Sequence, residues 1–321
     1  MLHSSSTPKP LVSILMPAYN CEKFVAKALD SIVAQTYPHW ELLAADDGSW
    51  DSTRRILNDY AVQDKRIRTF HQDVNQGYLK TWNRLLGLAK GDYITFQDAD
   101  DWSAPERLDK LLTALEKNPG WGAVGSNYAR VNEAGQILFT SQFETEPEKI
   151  LQRMPEKFDF IGSALMVRRA VVDKIGGYHM AFDRIGAEDL YWAYRVAECS
   201  GIANVPDVLY YYRYNPSSVG GNLSDSHRKF ISGAMVKKAI EERQRSGTDY
   251  LERNDPKEIR QIVEELEAPY LQDPGLFFER LGRRYFNEGR KAFARKLMWK
   301  SWLKTPHRLQ RLRDFIYMLR N

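Results

Sequence analysis

The chain has 321 residues, 43% of them hydrophobic, with a formal charge of +4 and only two cysteines. That length suits one large α/β domain with an appendage, each able to bury a core. Cys21 and Cys199 are too few and too far apart for a disulfide framework or a cysteine-ligated zinc site, and neither a secretory h-region nor about 18 consecutive apolar residues occurs, so the expectation is a soluble cytoplasmic protein with structural thiols.

Residues 1–10 read as a flexible N-terminus. From there to residue 128, short β-rich runs alternate with amphipathic helical stretches. Strands are expected over 11–16, 41–45, 67–71, 92–97 and 122–128, with helices over 23–34, 52–60, 77–89 and 105–118; Ser103 is the candidate N-cap of the last. This alternation predicts an α/β fold built on a Rossmann-like, mostly parallel sheet flanked by helices. After Tyr128 the regularity breaks. Asn132-Glu133-Ala134-Gly135 reads as a hairpin turn, followed by a strand over 163–168, a helix over 188–200 and a strand over 208–214. Beyond Pro216 the pattern is helical, over 224–245, 255–267, 275–286 and 291–304 and again after Pro306, with Asn287-Glu288-Gly289 turning a helical hairpin. A domain boundary is expected near Asn222.

In an open parallel sheet, ligands bind beyond the carboxyl ends of the strands. Here those ends are acidic: Asp46-Asp47-Gly48-Ser49 follows the second strand and Asp98-Ala99-Asp100-Asp101 the fourth. Each cluster alone could be turn or cap chemistry. Converging carboxylates, however, repel unless a cation or donor offsets them, and hard oxygen ligands on a short turn suit Mg²⁺ or Mn²⁺ carrying a diphosphate. No Gly-x-Gly-x-x-Gly follows the first strand and no Gly-x-x-x-x-Gly-Lys-Ser/Thr occurs, so the dinucleotide and P-loop enzymes find no support.

Over residues 11–218 the chain resembles the family 2 glycosyltransferases, with their GT-A fold. The resemblance is carried by Val12-Ser13-Ile14-Leu15-Met16-Pro17-Ala18-Tyr19-Asn20, Asp46-Asp47-Gly48-Ser49, Asn75-Gln76-Gly77, Gly91-Asp92-Tyr93-Ile94, Asp98-Ala99-Asp100-Asp101 with Pro105, Gly176-Gly177-Tyr178 and Glu188-Asp189. It implies a catalytic domain over 11–221, with a nucleotide-binding half at 11–128 and an acceptor half at 129–221, followed by a helical basic region over 222–321. It also implies that Pro17, Ala18 and Tyr19 line a nucleobase pocket in which Asp47 accepts uracil N3–H, which disfavours cytosine and makes a UDP-sugar the favoured donor while leaving dTDP open, since thymine offers the same N3–H. Asp98 and Ala99 would lie on the donor side, Asp100 with Asp98 would hold Mn²⁺ or Mg²⁺, and Asp189 would be the general base of an inverting displacement. Asp101 is open between this cluster and a helix cap. Where relatives carry Arg before the Asn of the third helix this chain has Trp82, which leaves Lys80 or Arg84 for a phosphate contact; Asn215 stands where some relatives have His. Trp102, Tyr178 and Glu188 are the acceptor-side candidates, the two rings for sugar stacking.

Two other readings stay open: a non-catalytic sugar-nucleotide scaffold and a Mg²⁺-dependent nucleotidyltransferase, although the latter's triphosphate loop is missing after the first strand. The acceptor expected is a saccharide or a lipid-linked one, in cell-surface polysaccharide or glycolipid assembly. Between residues 280 and 321, thirteen Lys and Arg face only Glu288 and Asp314, a net charge of +11 that leaves the rest of the chain at −7. With the aromatics of 275–321 this region reads either as helices packed with solvated cations or as a peripheral contact to an anionic membrane surface on the cytoplasmic face. No nucleic-acid-binding module accompanies the charge.

Overall fold

The computed structural model describes residues 9–154, 156–214, 227–287 and 289–320, those at 227–230 by backbone alone. The chain divides into two compact units, residues 1–222 and 223–321. The first unit carries β1 (Val12–Ala18), α1 (Val25–Val33), β2 (Trp40–Asp46), α2 (Thr53–Gln63), β3 (Ile67–His71), α3 (Tyr78–Leu88), β4 (Tyr93–Phe96), β5 (Trp102–Ser103) and α4 (Arg107–Lys117). It continues with β6 (Ala123–Val131), β7 (Ile137–Thr140), α5 (Pro147–Arg153), β8 (Met166–Arg168), α6 (Arg169–Ile175), α7 (Glu188–Ser200) and β9 (Ile202–Arg213).

The strands form a single sheet in the order β3-β2-β1-β4-β8-β6-β9-β5, with β7 paired to β6. β1 through β4 are mutually parallel, as the alternating pattern predicts. The other half corrects the expectation of a mostly parallel sheet. β8 runs antiparallel between β4 and β6, β6 and β9 are parallel, and β5 and β7 pair antiparallel, so the sheet is mixed. β1 is buried on both faces, which is why its sequence is almost continuously apolar. One face packs Val12, Ile14 and Met16 against Leu29 and Ile32 of α1 and Leu111 and Leu115 of α4. On the other side, Trp82 of α3 and Trp192 of α7 cluster around Phe96 of β4.

Ser103 is not a helix cap. It lies in β5, its hydroxyl donates to Gln97 Oε1 at 2.6 Å, and α4 starts later, from Glu106. The helices α5 and α6, too short for periodicity to show, were also not anticipated.

The second unit comprises α8 (His227–Ser246), α9 (Tyr250–Arg253), α10 (Pro256–Gln272), α11 (Leu276–Asn287), α12 (Lys291–Lys304) and α13 (Leu309–Arg320). The expected helix start at 224 lies outside the described residues. Gly282 lets α11 approach α12 closely: a Cβ there would meet Met298 Sδ at 2.9 Å. Arg311 of α13 is buried and bridges Asp273 at 2.7 Å and Glu279 at 2.7 Å. No helix among the described residues is long and apolar enough to cross a membrane.

Candidate active site

The acidic strand ends differ sharply in how they are satisfied. Asp46 is fully buried, paired with Arg54 at 2.9 Å, and accepts the Ser49 N–H. Asp47, 3% exposed, accepts Gln72 Nε2 at 2.7 Å and the backbone N–H groups of Gln76 and Gly77, each at 2.9 Å. The carboxylate expected to face a nucleobase thus holds the β3–α3 loop, with one acceptor position of about four left. That loop lies directly on Gly48, where a Cβ would come within 2.7 Å of the Val74 and Asn75 backbone; Gly48 accordingly adopts φ +75°. Pro17 is half-buried, Ala18 is buried at the end of β1, and Tyr19 is 47% exposed.

The Asp98-Ala99-Asp100-Asp101 loop is the opposite case. Asp98 Oδ2 accepts the Ser163 hydroxyl at 2.5 Å, Oδ1 is 3.5 Å from the Tyr78 hydroxyl, and the Asp98 N–H donates to the Tyr210 hydroxyl. Burial pushes its carboxyl above the usual range. Asp100 is raised to about 6, chiefly by burial and then by Asp98. Ala99 is buried beneath them. Asp101 is not a helix cap; its Oδ1 accepts the Arg213 N–H at 2.7 Å and ties the loop to the end of β9.

Two guanidiniums stand beside this loop, and each is spent on carbonyl oxygens. Arg213 donates to the Asp100 carbonyl at 2.9 Å and to the Glu133 carbonyl at 2.7 Å. Arg107, fully buried, donates to the carbonyls of Phe96 and Ser163 at 3.0 and 2.7 Å and to the hydroxyls of Ser103 and Thr95. A cavity of about 390 Å³ adjoins Arg213, with Asn20, Phe24 and Tyr214 in its lining and Trp50, 82% exposed, also at its wall.

α7 begins at Glu188-Asp189 after a loop in which Arg184, Gly186 and Ala187 have φ of 60°, 84° and 73°. Left-handed geometry at a residue with a Cβ and no polar side chain, as at Ala187, costs roughly 1–2 kcal/mol. Glu188 is raised to about 7, by burial first and Asp189 second, and its Oε2 has no hydrogen-bond partner. Asp189 is raised by burial, while the Leu190 N–H donates to its Oδ1 at 2.9 Å and the nearby Gly162 N–H opposes the shift. Its proximity to Asp98 adds to the shift.

The 3-10 turn Gly162–Ala164 therefore touches both sides. Ser163 donates its hydroxyl to Asp98, its carbonyl accepts from Arg107, and the Gly162 N–H reaches Asp189. A Cβ on Gly162 would fall 3.0 Å from Asp189 Cβ.

Several expected site residues lie elsewhere. Trp102 has one face on Tyr211, with centroids 5.2 Å apart and planes 6° from parallel, while Lys27 Nζ sits 3.3 Å over the ring. Tyr178 is buried and stacked 3.8 Å from Trp82, with its backbone clamped by Asn83. Neither ring has a face left for a sugar. Lys80 is exposed and two residues beyond Tyr78, about 200° around the helix from the side that faces Asp98; Arg84 lies over Phe70. Asn215 lies outside the described residues. Tyr78, Ser163, Arg107 and Arg213 were missed. Only Arg107 carried a sequence signal, since it falls on the stripe of Leu108, Leu111 and Leu115 that α4 buries.

Among the described residues no group of three His, Cys, Asp or Glu side chains gathers around a metal position. The sequence's candidates for such a site, Asp98 and Asp100, stand on one short loop. Both are hard oxygen ligands, and among the described residues Asp100's carboxyl forms no ion pair, Arg213 acting on it only through space, so the donor set fits a Mg²⁺ or Mn²⁺ ion that completes its shell with phosphate and water.

Residues 13–176 match the model of the family described as glycosyl transferase family 2. A Bacillus subtilis chain that carries the name glycosyltransferase EpsE is 32% identical over 212 residues, 64% of this chain and 73% of that one. Glycosyltransferase GlyG of Streptococcus pneumoniae is 26% identical over 221 residues, covering 65% and 72%. Among solved structures, S. aureus TarS 1-349 in complex with UDP-GlcNAc superposes with a TM-score of 0.62 at 20% identity, over 85% of this chain and 80% of that one. The Pyrobaculum calidifontis mannosyltransferase PcManGT, in complex with GDP-Man and Mn²⁺, gives 0.54 at 21% identity, over 83% and 70%. At such identities these likenesses speak for the fold.

Proposed function

The chain belongs to glycosyl transferase family 2 and is a glycosyltransferase that moves a sugar from a nucleotide-sugar donor to an acceptor; within that activity we propose a metal-assisted, inverting displacement. The observation that carries the proposal is the single turn at 162–164, which holds Asp98 through the Ser163 hydroxyl and packs Gly162 closely against Asp189. A donor-side and an acceptor-side carboxylate thereby lie against one element, the arrangement an in-line reaction between two bound substrates requires.

In this reading Asp98 and Asp100 would hold the divalent ion, which when bound would supply Lewis-acid stabilisation of charge on the departing diphosphate. The chain's own residues do the rest. Asp189 accepts the proton of the attacking acceptor hydroxyl. Its burial helps, since a carboxyl raised above its ordinary range is a stronger base than a solvated one. It is still weak for an alcohol, so the proton moves late, once the forming bond has acidified that oxygen. Glu188, half-buried beside it, is itself raised to about 7, by burial first and Asp189 second. Ala18 and Tyr19 at the end of β1 border the nucleotide, with Asp47 fixing the neighbouring loop and offering its remaining acceptor position to uracil N3–H. UDP-sugars are the favoured donors, as in the TarS complex, and GDP-sugars the next to try, as in the mannosyltransferase complex. The acceptor is a saccharide or lipid-linked saccharide of a cell-surface polymer; one relative, 38% identical over 143 residues, carries a teichuronic acid biosynthesis name.

The test is a panel of UDP-, dTDP- and GDP-sugars incubated with Mn²⁺, read as slow nucleotide release. Asp100→Ala is expected to abolish metal-dependent donor binding, and Asp189→Asn to bind donor but lose transfer. A fully active Asp189→Asn enzyme removes the base assignment, and unchanged donor affinity in Asp100→Ala removes the metal role.

A further inference from the structure

The last helix of the second unit is apolar on two sides. Phe315 and Met318 face its neighbours, Phe315 lying 5.2 Å from Trp299 of α12. A second stripe, Leu309, Leu312, Ile316 and Leu319, recurs every three or four residues and points outward, with Leu309, Ile316 and Leu319 63%, 40% and 52% exposed. Leu312 and Leu319 are each one helical turn from Phe315, so the outer stripe runs on into the Trp299 contact. On α12, Trp299 is 41% and Leu303 55% exposed, one turn apart. Solvated helices do not ordinarily carry such a continuous stripe, and a patch of this kind marks an interaction surface.

Its border is cationic. Lys296 and Lys304 flank Trp299 and Leu303 on α12, and Arg313 and Arg320 flank the stripe on α13; all four are exposed. They belong to the stretch 280–321, whose net charge is +11. A second copy of the chain would bring the same positive field against its own, which disfavours self-association through this face. A planar apolar layer beneath negative headgroups satisfies both features at once.

We propose that this α12–α13 face docks on an anionic lipid surface, with Trp299, Leu303, Ile316 and Leu319 entering the interface and Lys296, Lys304, Arg313 and Arg320 held at headgroup level. The proposal does not depend on the catalytic assignment, and its test involves no donor or acceptor.

The full chain is sedimented with vesicles of phosphatidylcholine containing phosphatidylglycerol and with vesicles of phosphatidylcholine alone. Binding is expected on the anionic vesicles at low salt and loss in about 1 M salt, where the Debye length falls to about 3 Å. The triple variant Lys296→Glu, Lys304→Glu, Arg313→Glu is expected to lower partitioning by about 100-fold or more. Trp299→Ser with Ile316→Ser lowers it while the helical circular dichroism stays that of the parent. No binding of the parent to anionic vesicles at low salt overturns the proposal, as does equal binding to neutral vesicles. Retention by the charge-reversed variant overturns it too, as does salt-sensitive capture of the parent by an acidic protein or nucleic acid with none by the vesicles.

Discussion

Replacing Glu188 by Gln tests the electrostatics of the cleft without touching the fold's core. Glu188 is raised from 4.5 to about 7, first by burial and then by Asp189. Because its value in the fold exceeds that in the unfolded chain, folding takes up a proton between these limits. Stability from this group is complete below 4.5 and is lost as pH rises through about 7. At about 1.4 kcal/mol per pH unit the displacement corresponds to about 3 kcal/mol, and partial exposure trims it to about 2 kcal/mol. An amide cannot ionise, so the variant escapes that loss. Whatever constant offset the amide introduces, the stability gap in favour of Glu188→Gln should widen by about 1.5 kcal/mol between pH 5 and pH 8. For a unit of this size that is about 3–6 °C in Tm. Urea unfolding of both proteins at several pH values reads it directly, and because the titration belongs to the Glu188–Asp189 pair, Asp189→Asn should shrink the gap. A gap independent of pH would refute the reasoning.

Ser163→Ala removes the hydroxyl that donates to Asp98 at 2.5 Å. A hydrogen bond to a charged group is worth about 1.5–3 kcal/mol, so kcat/KM for the donor should fall roughly 10- to 150-fold, with Ser163→Thr retaining most of it. Ala187→Gly relieves left-handed geometry at φ 73° and should raise stability by about 0.5–1 kcal/mol in thermal unfolding, glycine's own entropy offsetting the remainder. Arg311→Ala strips Asp273 and Glu279 of a buried partner and should destabilise the second unit by about 3–5 kcal/mol, visible as loss of helical signal at lower urea.

The parallel half of the sheet and the helix at Glu188–Ser200 are legible in the sequence because their signals are local: alternation of apolar strands with helical stretches, and for the helix two acids in its first turn and Gly201 beyond its end. The position of β8 is not. Met166-Val167 is a short buried run that reads the same whether its neighbours are parallel or antiparallel, and its partners lie about 40 and 70 residues away. The same locality limits the site. Trp102 beside an acidic loop looks like a sugar platform until Lys27 and Tyr211, distant in sequence, take up its faces. Tyr178 looks equally available until Trp82 and Asn83 are brought against it. Ser163 has no local mark, because its role depends on a turn that packs between two carboxylates.

The behaviour of the two arginines separates a reactive cleft from a structural ion-pair cluster. Asp98, Asp100, Asp101, Glu188 and Asp189 are all raised with burial as the first cause, so each is held where its charge is unfavourable. Arg107 and Arg213 are close enough to neutralise part of this charge, yet the fold directs both onto carbonyl oxygens. Burial lowers Arg107 only to about 10, so it remains a cation at neutral pH, one that fixes the backbone behind the loop and forms no ion pair with its carboxylates among the described residues. A fold selected for stability alone would turn such guanidiniums onto the carboxylates, since an unpaired buried charge costs several kcal/mol. In the proposed mechanism, keeping them apart would reserve acidic oxygens for an incoming ligand, and the stability forgone is what the Glu188→Gln titration measures at one position.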